Sequence, residues 1–432
     1  MSSTSRLFLH KRHLRYLWFH YGIFWSGTIV VGFTAILYAS LINIGFGIFK
    51  YLVSYGMWLP LIITPGVGAL ATWLTRRYFK GAEGSGIPQV VASLESPSLH
   101  LGNHLLTLRI IVGKIALSFL AIIGGFTIGR EGPTVQVGAA IMFNLRRFYP
   151  HSNIVLERQL TLAGASAGLS AAFNTPLAGI MFAIEELLHN FSRKSASAVI
   201  VAIILAGAIA LAVEGDYTYF GSISVQSFHL LMLPAIVLCA LLTGLAGGIF
   251  TWLTLNSNRW LSQWIKHQRK VHPVWFAAGC GLALAIVGLL SGSTTFGSGY
   301  TQADALINMD GNQLPALYPF YKMAAMVLSY LPGIPGGIFA PSLSIGAGFG
   351  TLLHDIFAGI PLPILIALAM VGYLSAATQA PITSFVIVME MVNGHALVIP
   401  MMATALLAAR VSRLMAPPFY ATSAERYLNP PS

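Results

Sequence analysis

Arg130 and Glu131 stand side by side in the stretch Gly124–Gly138, inside apolar sequence long enough to lie in a membrane. An ionisable residue at membrane depth costs about 2.5–3.5 kcal/mol on insertion scales, so this pair predicts a functional site. Pro133 suits the first turn of a helix, which would direct its free amides and positive dipole end back at Glu131. Because such amides also bind anions, we expect an anion site that a carboxylate can occupy.

Further glycine-rich breaks interrupt apolar sequence at Gly84–Pro88, at Gly336–Pro341 and, less clearly, at Gly297–Tyr300. They offer backbone amides to an anion, Ser85 adds a hydroxyl donor, and Phe339 could wall the pathway. Partial charges suit transport, because they bind a halide strongly enough to dehydrate it and weakly enough to release it. The alternative is that these glycines only allow close packing of helices.

Two roles are open for Glu131. A fixed carboxylate would cap the helix that follows and only satisfy its amides. A mobile carboxylate would compete with an anion for the same amides, occupying the site when deprotonated and leaving it when protonated. The residue types and their spacing do not separate these two roles.

Glu185 and Glu186 form a second acidic pair, nine and ten residues past Pro176. At 1.5 Å per residue, a helix that starts at Pro176 carries them about 14–15 Å, roughly half the hydrocarbon core. Basic residues follow at 193–194, which predicts a cytoplasmic end. A carboxylate there could take protons from the inside and pass them towards Glu131. The alternative is an ordinary helix end at the membrane interface, where acids cost little.

The composition excludes a soluble domain, since 56% of the 432 residues are hydrophobic, only 9% are charged, and mean hydropathy is +0.74. We predict an all-α polytopic membrane protein with helices of about 20 residues. The net charge of +11 comes from 24 Lys and Arg against 13 Asp and Glu. The basic residues are spread over short loops, so the positive-inside rule explains them better than binding to nucleic acid.

The order of apolar segments predicts four parts. Residues 1–20 form a basic N-terminal segment on the cytoplasmic side, and 21–213 form a first membrane repeat. Residues 229–420 form a second membrane repeat, and 421–432 form a short C-terminal tail. We expect no sizeable soluble regulatory domain at either end.

The two membrane segments match each other internally. Gly84–Gln89 resembles Gly297–Gln302, and the break before Pro133 resembles the break before Pro341. Similar offsets in the same order indicate a duplicated unit, and duplicates built from broken helices are often inverted in the membrane. Further matched positions are Lys114 with Lys322, Ala171–Pro176 with Ala376–Pro381, and Glu185 with Glu390, of which we interpret Glu390 as structural.

Other classes of function are weaker interpretations. Gly164–Gly168 fits the hydrolase pattern G-x-S-x-G around Ser166, but that pattern needs a strand–turn–helix context and here lies in an apolar helical run. The histidines show no metal-ligand spacing, and Cys239 and Cys280 lie in apolar runs typical of core residues. We therefore predict neither an enzyme nor a bound metal or cofactor. A cation-coupled transporter of organic solutes is a further alternative.

Three motifs in order resemble the signatures of the CLC family of chloride channels and chloride/proton antiporters. They are Gly-Ser-Gly-Ile-Pro at 84–88, Gly-Arg-Glu-Gly-Pro at 129–133 and Gly-Ile-Phe-Ala-Pro at 337–341. The resemblance covers nearly the whole chain. It implies an inverted repeat of tilted, broken helices and a homodimer in the lipid bilayer, with one separate pathway in each subunit.

The resemblance also implies roles for individual residues. Ser85 corresponds to the serine that binds the central chloride, and the amides of Ile338 and Phe339 correspond to those that bind the same ion. Tyr420 resembles the tyrosine whose hydroxyl completes the chloride site, and Glu131 matches the gating glutamate.

Glu186 resembles the internal glutamate associated with proton coupling, which favours a chloride/proton antiporter over a passive voltage- or pH-gated chloride channel. Serine at position 85 favours chloride, since nitrate-preferring relatives carry proline there and fluoride-selective relatives methionine. Chloride and protons would be the substrates, with no cofactor. The chain ends soon after Tyr420, which resembles prokaryotic members without CBS domains and predicts the inner membrane.

Overall fold

The computed structural model describes residues 3–97, 100–149, 153–187, 193–215, 220–221, 223, 232–308 and 314–429. Within these ranges the chain forms twenty α-helices and no β-strand. The helices of the first half are α1 (Ser3–Ser54), α2 (Pro60–Tyr78), α3 (Ile87–Glu95), α4 (His100–Leu105), α5 (Leu108–Ile123), α6 (Glu131–Asn144), α7 (Ile154–Phe173), α8 (Pro176–Phe182) and α9 (Arg193–Glu214).

The second half contains a similar number of helices. They are α10 (Met232–Leu255), α11 (Ser257–Trp260), α12 (Gln263–Val271), α13 (Pro273–Leu290), α14 (Tyr300–Ile307), α15 (Tyr318–Tyr330), α16 (Phe339–His354), α17 (Leu362–Thr378), α18 (Pro381–Met391), α19 (Val398–Arg413) and α20 (Phe419–Leu428). Short 3₁₀ segments span Leu145–Phe148 and His395–Leu397, and a π-helical turn spans Ala183–Leu187.

The predicted all-α membrane fold is confirmed. Apolar stretches at Tyr21–Ser54, Met232–Leu255, Pro273–Leu290 and His395–Arg413 are long enough to cross a bilayer. The remaining helices include very short ones, such as α3 with nine residues and α18 with eleven. Short helices leave backbone ends at membrane depth, where only burial in protein or an aqueous cavity can satisfy them. The fold therefore places many helix ends inside the molecule.

The first helix differs from the hydropathy pattern. Its apolar stretch starts near residue 21, but α1 already begins at Ser3 and continues without a break to Ser54. Hydropathy marks where a segment can enter lipid and does not mark where a helix begins. The boundary at residue 20 therefore lies within one continuous helix.

Glycines allow the central helices to touch through their backbones. A Cβ added at Gly138 of α6 would lie 2.2 Å from the Gly164 carbonyl of α7, and one at Gly168 would lie 2.6 Å from the Thr134 carbonyl. Two glycines of the G-x-S-x-G pattern therefore serve helix packing. Ser166 is buried inside α7, away from any strand–turn–helix elbow in the described ranges.

Matched positions of the two halves share local geometry. Gly86 before α3 and Gly299 before α14 both adopt left-handed backbone, with φ of 92° and 87°. Asn174 after α7 and Gln379 after α17 do the same, with φ of 56° and 62°. Left-handed residues end helices and let the chain reverse direction. The internal sequence match therefore extends to the way in which these helices start and stop.

Two glutamates cap helices of the opposite half in a reciprocal way. The carboxylate of Glu185 accepts the amides of Ile382 and Thr383 at the start of α18, at 3.0 and 2.6 Å. Glu390, within α18, accepts the amides of Leu177 and Ala178 at the start of α8, at 3.2 and 2.8 Å. A carboxylate satisfies free helix-start amides and interacts favourably with the helix dipole. We call this arrangement the reciprocal cap.

Candidate anion site

Three of the glycine-rich breaks meet inside the protein. Gly129 and Gly337 exchange two backbone hydrogen bonds, both 2.7 Å long, in a short antiparallel bridge. The Gly336 amide donates to the Gly84 carbonyl at 3.0 Å. Since α3, α6 and α16 begin just after these contacts, their N-terminal ends lie close together.

The fourth break, Gly297–Tyr300, has different neighbours. The Gly297 amide faces the Gly125 carbonyl at 3.4 Å, and the Gly297 carbonyl accepts the ammonium group of Lys322 at 2.9 Å. A Cβ at Gly299 would meet the Ser344 side chain. These contacts are with residues other than Ser85 and Glu131, so only three breaks meet at the candidate site.

Two buried hydroxyls, those of Ser85 and Tyr420, face each other beside these helix starts. Each residue is 1% exposed, and the two side chains interact with each other. Neither oxygen has a partner that meets the geometry of an ordinary hydrogen bond. A buried polar group without a partner costs about 1–3 kcal/mol. Two neighbouring buried donors of this kind are suited to a ligand that accepts from both.

Gly132 brings the start of α6 directly against Ser85. A Cβ at this position would lie 2.3 Å from the Ser85 hydroxyl oxygen and 3.1 Å from its carbonyl. A side chain at position 132 would therefore displace Ser85. Because position 132 has no side chain, the motifs at 84–88 and 129–133 can approach each other to backbone contact.

Glu131 is the first residue of α6 and is almost fully buried. Its carboxyl group faces the backbone amides of Arg130, Glu131 and Ala340, which belong to the starts of α6 and α16. Oε2 has no partner of ordinary hydrogen-bond geometry, and a Cβ at Gly129 would lie 2.3 Å from it. The carboxylate therefore lies between two positive helix ends without being fully satisfied there.

Ile338 and Phe339 stand at the start of α16 and are both buried. Their amides are among the first of the helix, which have no partner within it. The Phe339 ring stacks near the Tyr420 ring at 6.2 Å and contacts the Phe173 ring edge-on at 5.8 Å. These rings form an apolar wall beside the two unpartnered hydroxyls.

Glu186 lies in the π-helical turn and is half-buried. The carboxyl groups of Glu185 and Glu95 lie within electrostatic range of Glu186, and so does the hydroxyl of Tyr420. The structure therefore places Glu186 within electrostatic range of the tyrosine of the candidate site. Single π turns in helices occur frequently at functional sites.

Glu95 and Lys114 are near the site but were not predicted as part of it. Glu95 ends α3, the short helix that begins behind Ser85, and the ten-residue spacing between them was the available signal. Lys114 is fully buried and donates to the carbonyls of Gly84 and Glu83 at 3.0 and 3.4 Å. Its amino group thus holds the loop that carries Ser85, as the amino group of its sequence match Lys322 holds Gly297.

A cavity of about 900 Å³ leads from Ser85 to the surface. Its lining comes from the end of α2, from α3 and the segment before it, from α10, α12 and α13, from the end of α15 with the turn after it, and from α20. The basic residues in the lining are Arg76, Lys80, Arg269 and Arg426, and the acidic one is Glu83. We call this cavity the basic vestibule.

Broken helices whose starts meet inside the protein are the architecture of membrane transport proteins. A family model described as "Voltage gated chloride channel" matches residues 67–413. The chain therefore belongs to the voltage-gated chloride channel family, which is the CLC family that the three motifs resemble.

Two curated relatives illustrate the similarity. The H(+)/Cl(-) exchange transporter ClcA of Vibrio cholerae is 30% identical over 382 residues, which cover 83% of this chain and 78% of the relative. The protein of the same name from Vibrio campbellii is 32% identical over 372 residues, covering 83% and 77%.

Solved structures share the fold. A slow cyanobacterial Cl-/H+ antiporter superposes with a TM-score of 0.79 at 24% identity, covering 94% of this chain and 98% of the other. A CLC-type fluoride/proton antiporter superposes with a TM-score of 0.76 at 22% identity, covering 93% and 96%. At this level of identity the likeness establishes the fold.

Proposed function

We propose that this protein is a chloride/proton antiporter. The observation that carries the proposal is the meeting of three helix starts around the unpartnered hydroxyls of Ser85 and Tyr420, with the Glu131 carboxylate beside them. Relatives that are about 30% identical over most of this chain carry the name H(+)/Cl(-) exchange transporter. Chloride and protons would be the substrates, and the protein would need no cofactor.

Chloride binds, in this proposal, between the hydroxyls of Ser85 and Tyr420 and the backbone amides of Ile338 and Phe339. All four donors are neutral. Neutral dipoles compensate the lost hydration of a halide without trapping it, so the ion can leave again. The buried amino group of Lys114 donates to the Gly84 carbonyl and so holds the Ser85 loop in place from behind.

Glu131 acts as the gate in this mechanism. Its carboxylate competes with chloride for the amides at the starts of α6 and α16, because both are anions seeking the same donors. Protonation removes the negative charge and with it the attraction to these amides. The carboxyl group then moves away, and chloride takes its place.

Protons reach Glu131 by a path separate from the chloride path. Glu186, with Glu185 and Glu95 beside it, forms an acidic cluster suited to cations, whereas the basic vestibule is suited to anions. Tyr420 is within electrostatic range of both Glu186 and Glu131. The acidic cluster and the gate therefore lie near the same tyrosine. An acidic route for protons and a basic route for chloride that approach one site favour the exchange of these two ions.

A reconstitution experiment tests the proposal. The purified protein is placed in liposomes, a chloride gradient is imposed, and external pH is recorded. We expect chloride movement to drive protons against their own gradient. Chloride flux without any proton movement would instead establish the alternative, a passive chloride channel on the same fold. The Glu186→Gln variant serves as a matched control, which we expect to move chloride and lose proton transport.

The membrane orientation and the repeat are further parts of the proposal. We place the N-terminus in the cytoplasm, as the basic segment 1–20 indicates, and the protein in a prokaryotic inner membrane. Segments 21–213 and 229–420 form an inverted repeat, with 421–432 as a tail. The matched caps of Glu185 and Glu390 and the matched buried lysines support a common origin for the two segments.

A homodimer completes the assembly. The helical segment Pro176–Leu187 has twelve residues and α18 has eleven, so each spans about 17–18 Å of an apolar core about 30 Å thick. Leu177 and Ile382, at their starts, are exposed although they adjoin the half-buried reciprocal cap. Half-buried carboxylates at this depth are costly in contact with lipid. We propose that the same face of a second copy covers them.

A further inference from the structure

The basic vestibule is a large cavity with strongly unbalanced charge. Its volume of about 900 Å³ lies in the range typical of sites for small molecules. Four cationic side chains from three parts of the fold line it, against one carboxylate. A halide ion needs far less room and far less charge, so the vestibule has capacity beyond the passage of chloride.

The turn after α10 holds two of the vestibule arginines side by side. Arg269 of α12 donates through Nη1 to the Ser257 hydroxyl at 2.8 Å. Arg426 of α20 donates through Nη2 to the Leu255 carbonyl at 3.1 Å. A guanidinium group has five N–H donors, so each arginine keeps further donors for a ligand. The pair is therefore fixed in place before anything binds.

The vestibule arginines repel one another. Burial, together with the nearby Arg426 and Arg76, lowers the pKa of Arg269, because each of these disfavours its charged form. Three guanidinium groups from α2, α12 and α20 are thus within electrostatic range of one centre. An anion with several charges would relieve this repulsion more effectively than a monovalent halide.

Glu83 does not neutralise these arginines. Its carboxylate accepts the Gly81 amide at 2.7 Å and the Tyr427 hydroxyl at 3.3 Å. Over the described ranges, no carboxylate lies within salt-bridge distance of Arg76, Arg269 or Arg426. Basic clusters without acidic partners are typical of sites for phosphate groups, which guanidinium groups bind through paired N–H donors.

We propose that the basic vestibule binds an anion with two or more phosphate groups, held chiefly by Arg269 and Arg426. The occupant lies across the way to Ser85 and closes this side of the anion pathway, a consequence that rests on the proposed transport function. Two sources share this chemistry, a soluble diphosphate compound and the headgroup of a phospholipid with two phosphates. The alternative is a vestibule that only concentrates halide.

Binding is measured first without any transport. Inorganic pyrophosphate is titrated into the detergent-solubilised protein by calorimetry. We expect one binding event per chain, weakened about tenfold or more in the double variant Arg269→Gln with Arg426→Gln. The control is Arg77→Gln, an exposed arginine next to Arg76 that does not line the cavity. If the double variant fails to fold, Arg269→Lys, which keeps the charge and loses the paired donors, is expected to weaken binding as well.

Chloride efflux from vesicles distinguishes the two sources. One arm uses neutral phosphatidylcholine with pyrophosphate added on each side in turn, and the other uses vesicles with and without cardiolipin. Inhibition by pyrophosphate from one side identifies a soluble ligand, and inhibition by cardiolipin identifies a lipid, provided that the double variant resists it. Absence of pyrophosphate binding and of inhibition in both arms would overturn the proposal. Absence of chloride efflux with intact binding would instead refute the transport function.

Discussion

The carboxylate of Glu131 is held differently from those of the two capping glutamates. It lies at the first position of α6, against amides from two helices, yet one of its oxygens has no ordinary hydrogen-bond partner. A fixed capping residue would be expected to satisfy both oxygens, as Glu185 and Glu390 do. This difference supports the mobile role for Glu131 over the purely structural one.

The first prediction concerns the charge of this residue. The variant Glu131→Gln keeps the shape of the side chain but cannot carry a negative charge or a mobile proton. We expect chloride flux to persist, its pH dependence to disappear, and proton transport to fall to the level of protein-free liposomes. Parallel recordings with a chloride electrode and a pH electrode check this.

The control for that prediction is Glu425→Gln, an exposed glutamate on α20. It should retain both fluxes and their pH dependence. A Glu131→Gln protein whose chloride flux still varied with pH as in the unmodified protein would remove Glu131 from the gate.

The site residues differ in how visible they are in the sequence. Ser85, Glu131 and Ile338 stand within short motifs with glycine and proline, whose backbone requirements mark them. Arg269 and Arg426 stand in ordinary basic surroundings and meet only because α12 and α20 pack on the same turn. Contacts between distant segments leave no local signal, so the vestibule could not be predicted from one sequence.

At the scale of helices, the sequence indicates where helices start better than it indicates the short helices. The helices predicted to start at Pro133 and Pro176 begin at or within two residues of them, because proline suits the first turn. Pro381, the match of Pro176, also begins a helix. The short helices α4, α11 and α12 were not predicted, since six, four and nine residues are too few for a hydrophobic period to be recognised. Their positions are set by packing rather than by local pattern.

The reciprocal cap gives the second prediction. Removal of a capping side chain typically costs about 1 kcal/mol. We expect Glu185→Ala and Glu390→Ala each to lower the free energy of unfolding in detergent by about that amount, because each leaves two helix-start amides without partners. Thermal denaturation of the purified variants checks this. The variants Glu185→Gln and Glu390→Gln, which keep one good acceptor, should lose less.

The comparison of single and double variants sharpens this test. Each glutamate caps a different helix, yet both caps join the helical segment Pro176–Leu187 to α18, so loss of either loosens the same contact. We therefore expect the double alanine variant to lose less stability than the sum of the single losses. Strict additivity, or an effect no larger than that of the exposed control Glu425→Ala, would show that the two caps do not act as a unit.

At the scale of the whole molecule, one face is incompletely protected. Through the reciprocal cap, the start of α8 lies against the end of α18, and the start of α18 lies against the end of the segment Pro176–Leu187. Both segments are too short to cross a bilayer. An exposed apolar side chain alone carries no information in a membrane protein, since lipid covers it equally well. Two half-buried carboxylates at the same face do carry information, because a charged group is costly in contact with lipid.

The third prediction tests the homodimer on this face. Leu177 and Ile382 flank the reciprocal cap and are 49% and 43% exposed. A tryptophan at either position would be tolerated by lipid but would keep two protein surfaces from meeting closely. We expect Leu177→Trp with Ile382→Trp to shift the protein from dimer to monomer, as read by counting photobleaching steps of labelled protein at low density in membranes.

Leu282→Trp on α13, where the side chain is also 43% exposed, is the matched control and should remain dimeric. A double variant that stays dimeric would place the interface elsewhere, whereas a monomer that still exchanges chloride for protons would show that each subunit contains a complete pathway.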